Sequence, residues 1–452
     1  MVIGKLLLFV PLQIVVQDNK GGAICTTYCG GTIKHGGTDN NTIMNKDKHI
    51  PSGYKPSPLG PIPEDWEVKK LGEVAEMTSG TTPSRANIDF YSNGSIPWVK
   101  TTDLNNGILN STEESVTNKA LEKTSLKLLP KGTVLVAMYG GFNQIGRTAM
   151  LGMEATINQA LSALICNEKI YNAYLLSWLN CRVKEWKHLA ASSRKDPNIT
   201  GKDVARFPIA VPPLPEQQRI VSVLSLWDAA IAKQTALIEQ LTLRKRGLMQ
   251  QLLTGKKRLK GSEGGNFHRL GNYISECNRR NAGCNRVLSV TNTKGFILQE
   301  EQFDKIVASN DTSNYKVVRR GEFAYNPSRV NVGSLAMLND YDEGILSPMY
   351  IVFKANENID KTYLLQCLQS WWFRGHIPAY TQGSVRDSLS FDGLCSMKFY
   401  IPTLQEQKAI SSILERADKE IEIQKQKLAA MQEQKKGLMQ VLLTGKRRIK
   451  IN

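Results

Sequence analysis

The sequence predicts an α/β (α+β) chain of two globular domains, each followed by a long helix. The two helices are expected to pair as an antiparallel intramolecular coiled coil with pseudo-two-fold symmetry. Three observations predict this: a segment of about 49 residues occurs twice, both copies carry a heptad apolar seam, and weaker echoes match the sequences preceding them.

The copies span 212–260 and 402–450, align without a gap at an offset of about 190 residues, and are identical at about 22 of 49 positions. A period that long means duplicated domains rather than a short-repeat solenoid. The identities cluster at the ends. Leu214, Glu216, Gln217 and Ile220 match Leu404, Glu406, Gln407 and Ile410, and Leu252-Leu253-Thr254-Gly255-Lys256 matches Leu442-Leu443-Thr444-Gly445-Lys446.

Steps of four and three connect Ile220, Leu224, Trp227, Ile231, Gln234, Ile238 and Leu241 in the first copy. The same steps connect Ile410, Leu414, Ala417, Ile421, Gln424, Leu428 and Met431 in the second. Such a seam is the signature of a coiled coil. It is interrupted at matched places by Gln234 and Gln424, then by Lys245 and Lys435, and polar residues in a seam can set register and partner. Pro212, Pro213 and Pro402 precede the helices, and Gly255 and Gly445 offer left-handed caps with basic residues beyond. Residues 216–253 would extend roughly 57 Å. Two matched seams in one chain point to pairing within the chain; the alternative is two helices each packed on its own domain.

The 452 residues predict roughly three domains. Divided by sequence, 1–43 is an extension, 44–212 and 259–402 are globular domains, and 213–258 and 403–450 are helical. The net charge of +17 favours a polyanionic partner, nucleic acid first. Eight scattered cysteines suit reduced thiols in the cytoplasm. The close pairs Cys25/Cys29 and Cys277/Cys284 lack zinc spacing, so no metal is expected. The apolar run 6–16 is too short to span a bilayer, and no membrane partner is expected. Residues 1–43 show no periodicity and are expected to lie outside the functional fold, with Met44 the better start.

From Pro63 onward the sequence is globular. Strands are expected near 96–100, 133–139, 160–165 and 207–211, and a helix over 173–188. After the linker Gly261-Ser262-Glu263-Gly264-Gly265 the same order recurs. The stretch 269–273 echoes 70–74, 333–338 echoes 146–151, 363–373 echoes the helix from Tyr174, and 397–401 echoes 207–211. Similar helices with diverged domains suggest one scaffold carrying two different readers.

Catalytic signatures are incomplete. The Gly expected upstream of Gly255-Lys256 in a phosphate loop is replaced by Gln250. Tyr325-Asn326-Pro327-Ser328 begins like an amino-methyltransferase motif but lacks its second Pro and aromatic. The histidines have no partners at metal or triad spacing. The chain is therefore expected to be non-enzymatic, with catalytic residues none.

Base reading needs forked donors: Arg or Lys for guanine, Asn or Gln for adenine. Candidates in loop-like segments of the first domain are Arg85, Lys100, Thr101, Asn143, Gln144, Arg147, Arg194 and Lys195. Those of the second are Arg279, Arg280, Asn292, Lys294, Arg329, Asn331 and Arg386. For each, a solvated loop side chain is the competing explanation.

Leu214-Pro215-Glu216-Gln217-Gln218-Arg219-Ile220, leading to Leu248-Met249-Gln250-Gln251-Leu252-Leu253-Thr254-Gly255 and repeated in the second copy, resembles the specificity subunit of type I restriction-modification systems. Asp65-Trp66-Glu67-Val68 and Asp196-Pro197-Asn198-Ile199-Thr200 are similar to segments of that family's target-recognition domains. The second domain departs from the pattern at Ser388-Leu389-Ser390. The resemblance covers roughly residues 50–450. It implies a non-catalytic reader of a split, asymmetric site on double-stranded DNA, with the helices as spacer. Two methyltransferase (modification) subunits and motor-nuclease (restriction) subunits would be partners. S-adenosylmethionine, ATP and magnesium would belong to those partners, so no cofactor is expected here. Two other classes stay open: a methyltransferase with degenerate motifs, and a coiled-coil scaffold with no DNA role.

Overall fold

The computed structural model describes residues 50–191, 198–292, 294–302, 311–381 and 388–449. The expectations for residues 1–43 fall outside them. The described chain is a mixed α/β fold. It divides into two compact units, Met1–Ala230 with Met431–Asn452, and Ile231–Ala430, so each long helix contributes to both.

The first unit is organised on a sheet ordered Ala75–Ser79, Leu161–Cys166, Val134–Ala137, Thr148–Leu151, Ile108–Leu109. The first four strands are antiparallel neighbours and the last pairs in parallel. Strand side chains alternate between faces, and Val134–Ala137 shows the consequence. Val134 and Val136 join a core with Tyr174, Leu175 and Trp178. Leu135 and Ala137 join a second core with Val99, Leu161 and Ala163. Both faces are covered, so the strand is apolar throughout. A smaller sheet sets Ile96–Val99 between Thr156–Ile157 and Glu114–Val116, over a core of Phe90, Trp98, Val116, Ala120 and Leu126.

The second unit repeats the central order with Ile274–Glu276, Ile351–Ala355, Phe323–Tyr325 and Leu335–Met337, again antiparallel. Phe323 and Tyr325 face Tyr363 and Leu364, while Ala324 faces Val290 and Val318. The entry strand recurs as well: Glu67–Lys70 pairs with Pro208–Val211, and Gly265–Arg269 with Lys398–Pro402.

Two helix expectations are corrected. The helix expected over 173–188 is two, Asn172–Cys181 and Val183–Ala191. Arg182 leaves the helical conformation, lays its guanidinium 4.6 Å from the Trp178 ring centroid and bonds Glu185 at 2.6 Å. The echo at 363–373 is likewise Lys361–Gln369 and Trp371–His376. There the Ser370 hydroxyl accepts from the Phe373 amide and starts a new helix, the role that suits a serine.

The long helices are Leu214–Leu252 and Leu404–Leu443. Within the first unit Arg448 bonds Glu216, and Lys435 pairs with Asp228. Within the second unit Gln234 bonds Gln424, and Lys245 pairs with Asp418. In each unit partner numbers fall along one helix as they rise along the other. Ile220, Leu224, Ile410, Leu414 and Ile421 are buried. Trp227, Ile231, Ile238, Leu241, Leu428 and Met431 are half-buried, whereas Leu226 and Leu243, off the seam, are 56% and 61% exposed. Leu214–Leu252 is long and apolar enough to cross a membrane by length and composition. Its polar bonds to protein at Glu216, Gln234 and Lys245 mark it instead as a protein-packed helix.

The near-identical helix starts have a structural cause. Gln217 accepts the Tyr171 amide and donates to the Pro212 carbonyl. Gln407 does the same with Asp360 and Pro402. Each glutamine thereby joins strand end, long helix and domain helix. At the other end, Gly255 and Gly445 have φ of +71° and +70°. A Cβ would lie 2.6 Å from the Tyr400 ring at the first and 2.5 Å from Pro63 at the second, so glycine is required twice over.

Candidate nucleic-acid interface

In each unit some of the candidates collect on the connection between two neighbouring strands of the main sheet. In the first this is the loop from Val134–Ala137 to Thr148–Leu151. Gly140, Gly141 and Gly146 have φ of +109°, +81° and +75°. The loop base is closed by the Gly146 amide on the Ala137 carbonyl at 3.0 Å and the Ala137 amide on the Arg147 carbonyl at 2.8 Å. Arg147 is half-buried and donates to the Gln144 side-chain oxygen at 2.9 Å, while Asn143 is exposed. Thr101 begins the turn Thr101–Asp103, and its hydroxyl lies 3.5 Å from where a Cβ on Gly140 would stand. Thr101, Gln144 and Arg147 therefore gather around one loop, with a planar fork held by a planar amide. Lys187, absent from the sequence candidates, lies 5.5 Å over the exposed Phe142 ring of the same loop.

Arg85 and Lys100 lie elsewhere, on the smaller sheet. Both grip Glu114, each at 2.6 Å, and Lys100 also reaches Glu113. Arg85 lies 4.5 Å from the Tyr91 centroid and 5.1 Å from that of Trp98. The Arg85 bond, then that of Lys100, pulls the Glu114 carboxyl down to about 2. The acid is thus ionised at any physiological pH, and both cations are compensated. Arg194 and Lys195 lie outside the described residues, as does Arg386 of the second unit.

In the second unit Arg329 and Asn331 are exposed on the connection from Phe323–Tyr325 to Leu335–Met337. Asn292 and Lys294 are exposed on the turn between Leu288–Thr291 and Gly295–Leu298. Gly333, at φ +95°, joins the groups: a Cβ there would lie 3.3 Å from the Asn292 Cβ and 3.6 Å from an Arg374 guanidinium nitrogen. Arg374 is a further cation, absent from the sequence candidates, on the helix Trp371–His376 rather than in a loop. Arg279 and Arg280 are engaged. Arg279 pairs with the nearly buried Glu322, which also accepts the Arg319 amide, and Arg280 donates to the Asn314 carbonyl at 2.6 Å.

The methyltransferase-like tetrapeptide is built into the fold. Tyr325 is buried and its hydroxyl donates to the Leu389 carbonyl at 3.1 Å; burial pushes that hydroxyl far above its ordinary range. Pro327 accepts the Leu389 amide.

The family profile described as type I restriction modification DNA specificity domain matches residues 63–243 and 294–433. The chain is 26% identical over 422 residues to the type I restriction enzyme MjaVIII specificity subunit of Methanocaldococcus jannaschii, covering 86% of this chain and 94% of that one. It is 32% identical over 164 residues to the EcoR124I/EcoR124II specificity subunit of Escherichia coli, 36% of this chain and 41% of that one. It also resembles a solved chain described under the structural basis of complex assembly and conformational transition of the type I R-M system. The TM-score is 0.56 at 17% identity, over 85% of this chain and 99% of that one, a likeness of fold.

Proposed function

The chain belongs to the type I restriction modification DNA specificity family, and from that premise we propose how it performs DNA sequence recognition as a specificity subunit. It reads a bipartite, asymmetric site on double-stranded DNA, one half by each recognition domain. The long helices form an antiparallel intramolecular coiled coil of pseudo-two-fold symmetry that sets the gap between the halves. Two methyltransferase subunits, one for each half of the pseudo-symmetric scaffold, and motor-nuclease subunits dock on the chain in the cytoplasm. S-adenosylmethionine, ATP and magnesium serve those partners, and this chain supplies no catalytic group.

One observation carries the reading. Both units share an order of four strands and a left-handed glycine, Gly146 or Gly333, in the loop between the last two of them, yet the side chains around the two glycines differ. A common frame with different donors is what reading two unlike half-sites requires, since base identity is carried by donor pattern. The matched Lys245–Asp418 and Lys435–Asp228 pairs support the symmetric helix pairing. Methylome sequencing of a host carrying this chain with its partner subunits tests the reading. A bipartite methylated motif is expected; a continuous motif, or none, overturns it. S-adenosylmethionine binding by the isolated chain would instead favour a degenerate methyltransferase.

A further inference from the structure

The two reading loops differ in what stands behind their glycines. In the first unit a Cβ on Gly146 would meet the Trp186 Cβ at 2.9 Å. Trp186 is fully buried and stacks on Phe207 with centroids 3.8 Å apart. The indole fills that space. In the second unit the neighbours of Gly333 are Asn292 and Arg374, the latter on the short helix Trp371–His376, and a cavity of about 280 Å³ opens there. Asn292, Gly333, Arg374, Gln369 and Lys245 are among its lining.

The charges around this cavity are unequal. The Lys245 ammonium is held by Asp418 at 2.5 Å and is already compensated. Arg374 is exposed, and no described carboxylate lies within ion-pairing reach of it. The uncompensated donors at the rim are therefore planar forks, the Arg374 guanidinium and the Asn292 and Gln369 amides, of which Arg374 and Asn292 flank Gly333. A phosphate asks chiefly for charge, which an ammonium supplies as well. Forks match base edges: Arg the O6/N7 edge of guanine, Asn the N6/N7 edge of adenine. The missing side chain of Gly333 lets both approach the same rim.

We propose that Arg374 is a specificity-determining residue of the second recognition domain, donating its fork to a guanine edge beside Asn292, with Gly333 as the positioning residue between them. The proposal rests on the DNA-reading function given above. It adds a residue from a helix, outside the loop-like segments that carry the sequence candidates.

The test is methylome sequencing of the whole complex carrying the native chain, Arg374→Ala or Arg374→Lys. The lysine variant keeps the charge and the fold of an exposed position but removes the fork. Both variants are expected to make one guanine position degenerate in one half of the motif, lowering discrimination there about 10- to 100-fold, with the other half unchanged. An unchanged motif in the lysine variant overturns the proposal. So does uniform loss at all sites in the alanine variant with the motif intact, the mark of a phosphate contact. If the native chain yields no bipartite motif, the functional reading itself fails, which is a separate result.

Discussion

The side-chain amide of Gln234 donates to the side-chain oxygen of Gln424 at 2.8 Å and to its backbone carbonyl at 3.2 Å. The two glutamines occupy the same place in the two helix copies, and Gln234 is only 7% exposed. A buried amide that loses its partner costs about 1–3 kcal/mol, whereas replacing both partners by apolar groups is near neutral or stabilising. Gln234→Leu or Gln424→Leu alone should therefore lower the unfolding midpoint in urea, and the double variant should recover or exceed the native value. Additive losses would show that the two amides act independently.

The helix ends repeat in sequence but not in partners. Arg448 bonds Glu216 at 2.7 and 2.8 Å and Asp65 at 2.8 and 2.7 Å, and Glu216 also accepts the Trp66 indole at 2.9 Å. Glu216 is 1% exposed. The matching Arg258 donates to the Ser262 carbonyl at 3.1 Å, beside Gly264. Glu216 is buried but Arg448 is 38% exposed, so the about 3–5 kcal/mol for removing one partner of a buried ion pair is an upper bound here. Arg448→Ala should therefore destabilise the first unit by up to that much, and Arg258→Ala should cost less, about 1 kcal/mol at most, as for one hydrogen bond. Hydrogen exchange over 54–70 and 265–270 reads the two effects separately, and equal losses would contradict the asymmetry.

Acid should loosen the smaller sheet of the first unit. The Glu114 carboxyl is lowered from 4.5 to about 2 by Arg85 and then Lys100. A depressed folded value means the contribution is complete above pH about 4.5 and is lost as pH falls toward 2. Exchange protection over residues 85–116 should decline across that window in the native chain. In Glu114→Gln the decline should shrink, at a lower plateau, with the Asp89–Lys119 pair still left to titrate in that segment. A decline of equal size in that variant would assign it to another group.

The long helices are legible in the sequence because heptad spacing and glycine caps are local patterns. The doubled domain order is legible because Gly-bounded strands recur at matched offsets. Chain breaks inside apolar runs are less so. Ser370 and Arg182 interrupt helices through a side-chain cap and a stacked guanidinium, and nothing in the apolar period signals either. Which candidates converge was not legible at all. The bond from Arg279 to Glu322 and the gathering of Asn292, Gly333 and Arg374 join residues about 40 or more apart in sequence. Those pairings are set by strand order, which single-sequence periodicity does not encode.

Arg147 and Arg329 stand on equivalent loops of different units and should fail separately. Arg147→Ala should relax one half-site and Arg329→Ala the other, each at about 1–3 kcal/mol if it reads a base. Competition binding with half-site-scrambled duplexes measures this. Equal loss at both halves for either variant would reduce that residue to a general electrostatic contact, and its salt slope should then fall by about one.

Under the proposed spacer role of the paired helices, the gap between half-sites becomes a function of helix length. Four residues added to each long helix at the level of Gln234 and Gln424 extend it by about 6 Å. They turn the seam by only about 40°, because four residues slightly exceed one turn, so the apolar faces can still meet. At about 3.4 Å of duplex per base pair, the methylated motif should gain about two unspecified positions while both half-sites keep their sequences. Extending one helix alone should break the Gln234–Gln424 bond and the register around it. That variant should lose stability more than it changes the motif. A gap unchanged by the double insertion would mean that something other than these helices sets the spacing.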